Sequence, residues 1–371
     1  MSDPKEAPQK KVKALLLVGG FGTRLRPLTF SKPKPLIEFI NKPVLVHQIE
    51  ALKSVGVEEI VLAVNYSSEK MFAALKEYEN TYNIKITCSK EEYPLGTAGP
   101  IGLAKSYLED ADIIFVFNAD VTCKFPLKEM LDFHLKHGKE GTIATKTVSD
   151  PSRFGVIVTD ENDKILQFVE KPQEYVGNRI NAGLYIFNKM FLNRVEAKPT
   201  SIEREVFPKM AADQQLYAFP LEGFWADIGK PAEYLVGTRL FLDNLSKYDS
   251  SKLEKLSEKI VDNVIVGENA VIEDGCILGP NVVVGKGVVV KKGCRIKNSV
   301  LLDKCVIGEY AFVEGSIIGW KSVIGKWCRV ENLCVIGEEV NVKDEVCLKN
   351  NSICPFISIK SSPKEGSVIL C

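Results

Sequence analysis

The chain has 371 residues, and at about 150 residues per domain this length predicts two or three domains. Its 48 Lys and Arg residues balance 48 Asp and Glu residues, so no overall field draws it onto nucleic acid or an acidic membrane, and any basic site is local. No apolar run reaches the roughly 20 residues of a membrane span, and we find no signal sequence. The ten cysteines include no C-x-x-C pair, which predicts reduced thiols and a cytoplasmic location.

Residues 13–245 alternate short apolar runs with amphipathic segments, after a polar segment, residues 1–12, that we expect to be a flexible extension. The runs "KALLLV", "EIVLAV", "IKITC" and "IIFVFN" predict buried strands, because they are short, rich in β-branched or aromatic residues and bounded by polar residues. Helices are predicted from Pro43 to Gly56 and over residues 97–108 and 126–137. This alternation predicts an α/β domain with a mainly parallel sheet, whose ligands gather at the carboxyl ends of the strands.

A different pattern begins after a charged linker, residues 246–262. Aliphatic side chains recur at steps of six residues, with some steps of five, and many precede glycine. This period predicts a triangular β-solenoid over residues 263–371, in which each repeat forms one face and its aliphatic side chain points to the axis. The pattern resembles the left-handed parallel β-helix of hexapeptide-repeat proteins, with about five coils of about eighteen residues. The predicted axial residues are Val266, Ile272, Leu278, Val284, Val290, Ile296, Leu302, Ile307, Val313, Ile318, Ile324, Val330, Ile336, Val342, Leu348 and Ile353.

Some solenoids of this kind carry acyltransferase sites that use a histidine. The three histidines of this chain, His47, His134 and His137, all lie in the first half, so we do not expect histidine-based acyl transfer. The solenoid is instead predicted to be a platform for homo-oligomer formation or regulation.

The stretch "VGGFGTRLRPLTFSKPKPL", from Val18 to Leu36, follows the first predicted strand. It lacks the lysine and hydroxyl pair of a P-loop, and Leu25 stands where a dinucleotide fingerprint has its third glycine. Its glycines would let backbone N–H groups approach an anion closely, and Arg24 and Lys34 supply positive charge for phosphate oxygens. The alternative is a tight turn with solvated basic side chains, and the stretch alone does not decide between them.

Two aspartates stand where a carboxylate would meet such a ligand. Asp120 follows the buried run in "FVFNADV", and Asp227 lies in "FWADIGKP", before a proline that begins a helix. Two carboxylates near phosphates predict a Mg²⁺ site. The alternatives are that Asp120 is a turn residue and that Asp227 is a helix cap. Between them lie "FVEKP", with Glu170 and Lys171, and "INAGLYIF", with Asn181. A solvated lysine at the end of a strand is the alternative for Lys171.

These motifs together resemble the signature of the sugar-nucleotide pyrophosphorylases, nucleotidyltransferases that join an NTP to a sugar 1-phosphate. The run "GGFGTRLRPLTFSKPKPL" is followed in the family's order by "EEYPLGTAGP", "FNAD", "FVEKP", "INAGLYIF" and "FWADIG", and the hexapeptide tail is also shared. The resemblance covers the chain from Lys13 onward. It implies a Rossmann-like, GT-A-like mixed sheet domain followed by the β-helix, and the "GTAGP" form resembles the eukaryotic members that use GTP and mannose 1-phosphate.

The resemblance also implies a role for each matching position. The implied catalytic residues are Arg24, Lys34, Asp120, Lys171 and Asp227. Of these, Asp120 and Asp227 would hold Mg²⁺, and no organic cofactor is implied. The residues implied to bind the nucleotide are Gly19, Gly20, Gly22, Thr23, Arg24, Lys34 and, against the base or ribose, Gly96. The residues implied to bind the sugar phosphate are Gly155, Glu170, Lys171 and Asn181.

Two other functions fit the same architecture. A sister enzyme would use glucose 1-phosphate with UTP or ATP, and base selection depends on backbone groups that a sequence does not locate. A non-catalytic regulatory subunit would be expected to lose the charged set, which is present here. The resemblance therefore implies an enzyme that makes GDP-mannose and diphosphate, forms a homo-oligomer through the β-helix and has a related regulatory subunit as a further partner.

Overall fold

The computed structural model describes residues 10–20, 22–65 and 69–370, so residues 1–9 of the predicted extension lie outside the described part of the chain. Contacts divide the chain into two compact units. The first, called the sheet unit, comprises Met1–Gly20, Gln48–Val121 and Phe125–Glu222. The second, called the solenoid unit, comprises Phe21–His47, Thr122–Lys124 and Gly223–Cys371. The domain boundaries predicted at residues 245 and 263 stay a prediction.

Thirteen strands and seven helices precede the β-helix in the described residues. The strands are β1 Val12–Leu17, β2 Glu38–Phe39, β3 Lys42–Pro43, β4 Glu59–Val64, β5 Lys85–Lys90, β6 Ile113–Asn118, β7 Val121–Cys123, β8 Gly141–Thr147, β9 Gly155–Thr159, β10 Ile165–Glu170, β11 Arg179–Asn188, β12 Leu216–Pro220 and β13 Trp225–Asp227. The helices are α1 Val44–Ser54, α2 Glu69–Tyr82, α3 Gly99–Leu103, α4 Lys105–Leu108, α5 Leu127–His137, α6 Phe207–Ala212 and α7 Pro231–Tyr248. None of these described helices is long and apolar enough to cross a membrane.

The sheet unit is built around a nine-stranded mixed sheet. Seven strands follow the order β10-β9-β11-β6-β1-β4-β5, and β8 pairs with both β11 and β12. The strands β1, β4, β5 and β6 are parallel, with Leu15 opposite Val61, whereas β11 runs antiparallel to β6. The carboxyl ends of the four parallel strands therefore lie at one edge of the sheet. Asn65, Glu91 and Asp120 follow three of them at this edge.

The four predicted strands are present as β1, β4, β5 and β6, but all three predicted helices differ from the structure, and α5 does so only by beginning at Leu127 and not at Pro126. Pro43 ends the β2–β3 hairpin, so α1 begins one residue later than predicted. The prediction of one helix over residues 97–108 is wrong, because Ala104 separates α3 from α4. Gly102 lies against the backbone of Glu196, where a Cβ would be 2.3 Å from the carbonyl carbon. The glycine at this position therefore allows the helix to pack closely on the neighbouring backbone.

The β-helix of the solenoid unit has three parallel sheets, one on each face. The first face contains Val264–Val266, Val282–Val284, Ser299–Leu301, Ile317–Ile318, Val335–Ile336, Ser352–Ile353 and Val368–Ile369. The second face contains Val271–Ile272, Val289–Val290, Val306–Ile307, Val323–Ile324, Asn341–Val342 and Ser358–Ile359. The third face contains Ile277–Leu278, Arg295–Lys297, Phe312–Glu314, Arg329–Glu331 and Cys347–Lys349.

The interior of the β-helix follows the predicted repeat at every position but one. All the predicted axial residues except Leu302 belong to, or pack against, one apolar cluster along the axis. At that coil the axial residue is Leu301, which pairs with Val284 on one side and Ile318 on the other. The five-residue step therefore falls between Ile296 and Leu301, and Leu302 packs outside the solenoid.

The corners of the β-helix require a left-handed backbone conformation. Asn263, Asn281 and Asn298 occupy one corner on successive coils, with φ values of 41°, 58° and 48°. Asparagine tolerates this conformation better than most residues. The Asn281 amide also donates from Nδ2 to Asn298 Oδ1 over 3.1 Å, which joins one coil to the next.

Candidate nucleotide and sugar-phosphate site

The glycine-rich stretch is a constrained loop in the solenoid unit from residue 22 onward. Gly22 has a φ of 61°, and a Cβ there would lie 2.8 Å from Thr29 Cγ2, so both backbone and packing favour glycine. The Gly22 carbonyl accepts from Thr29 Oγ1 over 2.9 Å and from the N–H of Leu25 over 3.0 Å. On this loop Arg24 is exposed and Lys34 is half-buried. The two predicted phosphate-binding cations therefore project from a backbone that is fixed locally.

This loop packs on the first face of the β-helix, within the solenoid unit. Four apolar side chains of the loop and of the residues that follow it are buried in a cluster with four outward-facing residues of that face. These residues are Leu25 and Leu28 of the loop, Ile37 and Phe39 directly after it, and Val283, Val300, Ile317 and Val335 of the face. At the tip of the β2–β3 hairpin, Asn41 Nδ2 donates to Val284 O over 2.7 Å. The hexapeptide repeats therefore form part of the core beneath the loop.

Trp320 of the β-helix adds a polar anchor to the same loop. Its indole Nε1–H donates to Glu38 Oε2 over 2.8 Å, and Glu38 also forms an ion pair with Lys32. The Lys32 ammonium lies 4.5 Å from the centroid of the Trp320 ring. Trp320 is only 3% exposed, so little water competes for its N–H. A hydrogen bond of this kind to a charged group contributes about 1.5–3 kcal/mol to stability.

Replacing Trp320 by phenylalanine keeps most of the ring packing and removes the indole donor. We expect the Trp320→Phe protein to lose about 1–2 kcal/mol of unfolding free energy and to bind nucleotide more weakly, because the loop that carries Arg24 and Lys34 loses an anchor. Urea unfolding and the KM for nucleotide measure the two effects. Trp327→Phe is the matched control, since Trp327 is 60% exposed on the same β-helix. Equal behaviour of the two variants would contradict the anchoring role.

Asp120 lies in a tight turn between β6 and β7. The amide of Gln48, which is fully buried, donates from Nε2 to Asn118 O over 3.0 Å and to Val121 O over 3.2 Å. These carbonyls flank Asp120, so the amide fixes the turn that presents its carboxylate. Gln48 is not recognisable in the sequence, because it lies 70 residues before Asn118, in a helix with no motif of its own.

A leucine at position 48 would leave the two carbonyls of this turn without their donor. Each buried carbonyl that loses its donor lowers the free energy of unfolding by about 1–3 kcal/mol. Part of this loss is offset, because the substitution also removes Gln48 Oε1, a buried acceptor with no partner among the described residues. We expect the Gln48→Leu protein to melt at a lower temperature and to need more divalent cation for half-maximal activity. Thermal melting and a Mg²⁺ titration of activity test this. Lower stability with an unchanged Mg²⁺ requirement would restrict Gln48 to a structural role.

Asp227 ends β13 in the solenoid unit, and its Oδ1 accepts the N–H of Gly229 over 2.9 Å. Asp120 belongs to the sheet unit, so the pairing of the two carboxylates at one cation stays a prediction. Within the described ranges, no group of three or more His, Cys, Asp or Glu side chains could hold a metal ion. Carboxylate oxygens at strand ends nevertheless fit a hard cation that takes its remaining ligands from phosphates and water.

The predicted nucleotide-binding residues are distributed over both units. In the sheet unit, Gly19 and Gly20 follow β1, where Gly20 has a φ of 103° that favours glycine. Gly96, at the amino end of the segment before α3, belongs to the same unit. The solenoid unit holds the others, which are Gly22, Thr23, Arg24 and Lys34. That all of them bind one nucleotide stays a prediction.

Gly155 and Glu170 pair across β9 and β10. A Cβ at Gly155 would lie 2.5 Å from the Phe168 ring and 2.9 Å from Glu170 Oε2, so the glycine leaves room for this carboxylate. Glu170 forms an ion pair with Lys171 over 3.3 Å, and the backbone N–H of Lys171 donates to Phe154 O over 3.1 Å. Lys171 has a φ of 47°, which is uncommon for a residue other than glycine, and its side chain is 58% exposed. The strained backbone therefore presents an accessible ammonium group.

Asn181 lies on β11, the next strand of the sheet, so all four predicted sugar-phosphate residues come together on three adjacent strands. Its Oδ1 accepts the N–H of Gly183 over 3.0 Å, and its Nδ2 donates to the Tyr185 hydroxyl over 2.9 Å. Burial raises the pKa of Tyr185, and the nearby Glu203 and Glu170 carboxylates add to the rise, so the hydroxyl stays protonated at neutral pH. Tyr185 is absent from the predicted set although it stands in the same motif.

Gly96 lies where the chain passes close to Thr200. It has a φ of 74°, and a Cβ there would be 2.5 Å from Thr200 O, so the position excludes a larger residue. The neighbouring Thr97 donates from Oγ1 to Glu203 Oε2 over 2.6 Å. Glu203 belongs to a π-helical turn, Ile202–Val206, a rare element that often marks functional sites. The role of Glu203 is not recognisable in the sequence, because it depends on this contact across 106 residues.

Glu91 and Asn65 are two further polar residues outside the predicted set. Leu95 N–H donates to Glu91 Oε2 over 3.0 Å, whereas Glu91 Oε1 and Asn65 Oδ1 are buried and accept no hydrogen bond within the described part of the chain. Burial raises the pKa of Glu91, and the hydrogen bond from Leu95 opposes the rise. A buried acceptor without a donor costs about 1–3 kcal/mol, and more when it is charged.

The three histidines are packed within the fold. His134 and His137 contact Thr142 Oγ1 at 2.9 and 2.7 Å, and burial lowers the pKa of His134 to about 3 and that of His137 to about 4. A ring nitrogen of His47 lies 2.8 Å from Phe39 O. Each histidine therefore has a structural environment that accounts for it.

Comparison with known proteins identifies both halves of the chain. The nucleotidyl transferase family model matches residues 13–244, and the model of the GMPPB C-terminal domain matches residues 260–369. Mannose-1-phosphate guanylyltransferase 1 of Arabidopsis thaliana is 49% identical over 368 residues, which cover 97% of this chain and 100% of that protein. The mannose-1-phosphate guanylyltransferase catalytic subunit beta of Dictyostelium discoideum is 51% identical over 360 residues, with the same coverage of 97% and 100%.

Among solved structures, HddC from Yersinia pseudotuberculosis is similar over the first part of the chain. Its crystal structure gives a TM-score of 0.52 at 30% sequence identity and covers 61% of this chain and 97% of that chain. These matches confirm the resemblance that the motifs indicate, and the first family model spans more than half of the residues. The chain therefore belongs to the nucleotidyl transferase family.

Proposed function

We propose that this chain is a mannose-1-phosphate guanylyltransferase, which makes GDP-mannose and diphosphate from GTP and α-D-mannose 1-phosphate. The observation that carries the proposal is the match to full-length relatives of that name, at 49% and 51% identity over 97% of this chain. The product would supply activated mannose for glycoconjugate synthesis.

The reaction is a single displacement at phosphorus. A phosphate oxygen of mannose 1-phosphate attacks the α-phosphorus of GTP, the bond from that phosphorus to the β-bridging oxygen breaks, and diphosphate leaves with the electron pair. The second pKa of a phosphate monoester is about 6, so the sugar phosphate is already a nucleophilic dianion at pH 7 and needs no general base. The barrier comes from repulsion between anions, which positioned cations lower.

The residues around β9, β10 and β11 suit the sugar phosphate. Lys171 binds its phosphate group, because its ammonium is exposed directly after a strand end. Glu170 and Asn181 hydrogen-bond to mannose hydroxyls, and Gly155 lines the sugar pocket by leaving room for the Glu170 carboxylate. These assignments account for the polar side chains that converge on three neighbouring strands.

The glycine-rich loop suits the triphosphate. The backbone N–H groups that surround the phosphates are those of Gly19, Gly20, Gly22 and Thr23. Arg24 takes a bidentate grip on phosphate oxygens and Lys34 acts as a point charge, so that both stabilise the departing diphosphate. Gly96 lies against the base or ribose.

Members of this family generally use a divalent metal ion. We infer that the ion is Mg²⁺ and that Asp120 and Asp227 hold it, because hard carboxylate oxygens fit this cation. When bound, it neutralises charge at the α-phosphate. Gln48 fixes the turn of Asp120, and Gly229 N–H orients Asp227.

Diphosphate release by the purified protein tests this function. The assay combines each of the four NTPs with mannose 1-phosphate or glucose 1-phosphate in the presence of Mg²⁺. We expect the highest kcat/KM for GTP with mannose 1-phosphate. A higher value for glucose 1-phosphate with UTP or ATP would make the chain a sister enzyme, and no release from any pair would favour a non-catalytic regulatory subunit.

We also infer that the protein forms a homo-oligomer through its β-helix, in the cytoplasm, and associates with a related regulatory subunit. The first and last coils of a solenoid have a neighbour on one side only, which favours association there. The nine cysteines in the described ranges form no disulfide, which suits a reducing compartment. Sedimentation of the purified protein measures the oligomeric state.

A further inference from the structure

A row of outward-facing valines on the second face of the β-helix is left uncovered. On each of the first four strands of this face, one residue packs in the axial core and the residue before it points outward. The outward residues are Val271, Val289, Val306 and Val323. Their counterparts on the first face are buried in the cluster with the phosphate loop, whereas Val271 and Val323 are exposed and the other two are half-buried. The second face therefore presents apolar surface to solvent.

Two aromatic rings extend this surface at the corner that follows the second face. Tyr310 and Trp327 stack on successive coils, with ring centroids 4.4 Å apart and an angle of 19° between the planes. The Tyr310 ring also covers Gly293 of the preceding coil, where a Cβ would lie 2.4 Å from Tyr310 Cδ1. Trp327 is 60% exposed and Tyr310 is 39% exposed. With the valines and glycines of the same two coils these rings form a surface that we call the side patch. Its residues are Val306, Gly308, Tyr310, Val323, Gly325 and Trp327.

The aromatic residues of the side patch hold a backbone conformation that is rare for bulky side chains. Tyr310 has a φ of 59° and Trp327 a φ of 60°. Glycine and asparagine adopt this left-handed region far more readily. Two aromatic residues at such corners combine backbone strain with exposed apolar surface, and a contact that covers the rings would offset both costs.

The charges beside this corner follow a pattern that is complementary to itself. On successive coils, the residues that precede the corner are Lys292, Glu309, Lys326 and Asp344. Their signs therefore alternate along the solenoid. Two copies can meet with their solenoids antiparallel, related by a two-fold axis that passes between the two aromatic coils. Glu309 of each copy then faces Lys326 of the other, and Lys292 faces Asp344 in the same way.

Other positions of the two-fold axis fit less well. An axis centred on the coil of Glu309, or on that of Lys326, brings like charges together. A shift of one coil toward the amino end keeps opposite charges facing each other. It places the aromatic rings against Gly275 and Gly293, however, which have no side chain to cover them. The axis between the aromatic coils therefore combines facing aromatic rings with opposed charges.

We propose that the side patch is the surface through which two copies of this chain associate, with Tyr310 and Trp327 at its centre. Rigid aromatic side chains at the centre of an interface commonly contribute most of its binding energy. The arrangement also brings Lys291 near Lys343, but Lys291 is neutralised by an ion pair with Glu273 over 2.8 Å. This inference rests on the homo-oligomer of the proposed function. It extends that function by naming a surface along the side of the solenoid, away from its end coils.

Sedimentation velocity of the full chain, over a range of protein concentrations, measures the association. The variants are Tyr310→Asn and Trp327→Asn, because asparagine tolerates the left-handed backbone of a corner and so keeps the coil intact. Each should weaken dimerisation by at least about 30-fold, since a central aromatic residue of an interface contributes by this order. Far-UV circular dichroism should match that of the wild-type protein. Trp327→Phe keeps an aromatic ring and should still dimerise.

The matched control is Phe356→Asn. Phe356 is 69% exposed and has a φ of 65°, but it lies at a different corner, before the last strand of the second face. We expect this variant to dimerise like the wild-type protein. Dissociation by Phe356→Asn, together with intact dimers of Tyr310→Asn and Trp327→Asn, would locate the contact at the end of the solenoid and overturn the inference.

A charge exchange tests the two-fold arrangement. Lys292→Glu and Asp344→Lys each place like charges opposite each other, and each should weaken association by about three- to tenfold. The double variant restores opposite charges and should dimerise like the wild-type protein. Within one chain the two residues are separated by the coils of Glu309 and Lys326, so a contact inside the chain does not explain the recovery. A double variant that associates no better than the single ones would contradict the arrangement.

The same measurements separate this inference from the proposed function. A wild-type protein that sediments as a monomer at every concentration would contradict the homo-oligomer and the side patch together. A wild-type oligomer that is unchanged by Tyr310→Asn and Trp327→Asn would contradict the side patch alone. Diphosphate release tests the guanylyltransferase activity independently of both.

Discussion

Alanine at Asp120 or Asp227 should reduce turnover by about a thousandfold or more, because the proposed function needs both carboxylates to hold the divalent cation. Raising the Mg²⁺ concentration should not restore the rate of either variant. Steady-state diphosphate release measures the rate. Binding of Mn²⁺ in the presence of GTP, followed by electron paramagnetic resonance, measures the loss of the cation independently of catalysis.

Asp132→Ala is the control for both aspartates, since Asp132 is exposed on α5 and away from the predicted motifs. Its activity and Mn²⁺ binding should equal those of the wild-type protein. Near-normal activity of Asp120→Ala or Asp227→Ala would remove that residue from the metal-binding role. Lost activity with intact Mn²⁺ binding would assign the residue a different function in the site.

Alanine at Lys171 should raise the KM for mannose 1-phosphate by about 10- to 100-fold and leave the KM for GTP within about twofold. The reason is that the Lys171 ammonium is the cation assigned to the sugar phosphate, and a hydrogen bond between charged groups contributes about 1.5–3 kcal/mol. Initial rates with each substrate varied in turn measure the two constants.

The control for this prediction is Lys128→Ala, which removes an exposed lysine from α5. Lys171→Arg should fall between the wild-type protein and Lys171→Ala, because it keeps the charge but changes the geometry. A rise in the KM for GTP, with an unchanged KM for mannose 1-phosphate, would show that Lys171 is assigned to the wrong substrate.

The sequence predicts most of the fold because the signals are local. Short apolar runs locate β1, β4, β5 and β6, and a six-residue period locates the coils of the β-helix. The failures occur where a contact distant in sequence decides the structure. The segment around Gly102 packs on Glu196 and forms two short helices in place of the predicted one, and the coil that contains Leu301 is shorter by one residue than the regular period requires.

Only the site residues that belong to sequence motifs can be predicted from the sequence. Glycines, basic residues and aspartates in characteristic strings indicate a phosphate site, and the strands place Gly155, Glu170 and Asn181 together. Gln48 carries no motif, because its importance lies in which atoms it meets after folding. Trp320 is 282 residues from its partner Glu38, so no window of sequence relates the two.

Because the phosphate loop packs on the β-helix, the coils that it contacts are not interchangeable with the others. Coils of a solenoid are ordinarily interchangeable, and one can be added or lost with effects only on its neighbours. Here four successive coils each place one side chain under the loop, namely Val283, Val300, Ile317 and Val335. A coil inserted among these four would shift some of the side chains that contact the loop by one strand spacing, whereas a coil added after them would not. Variation in the length of the β-helix is therefore restricted to the coils outside this stretch.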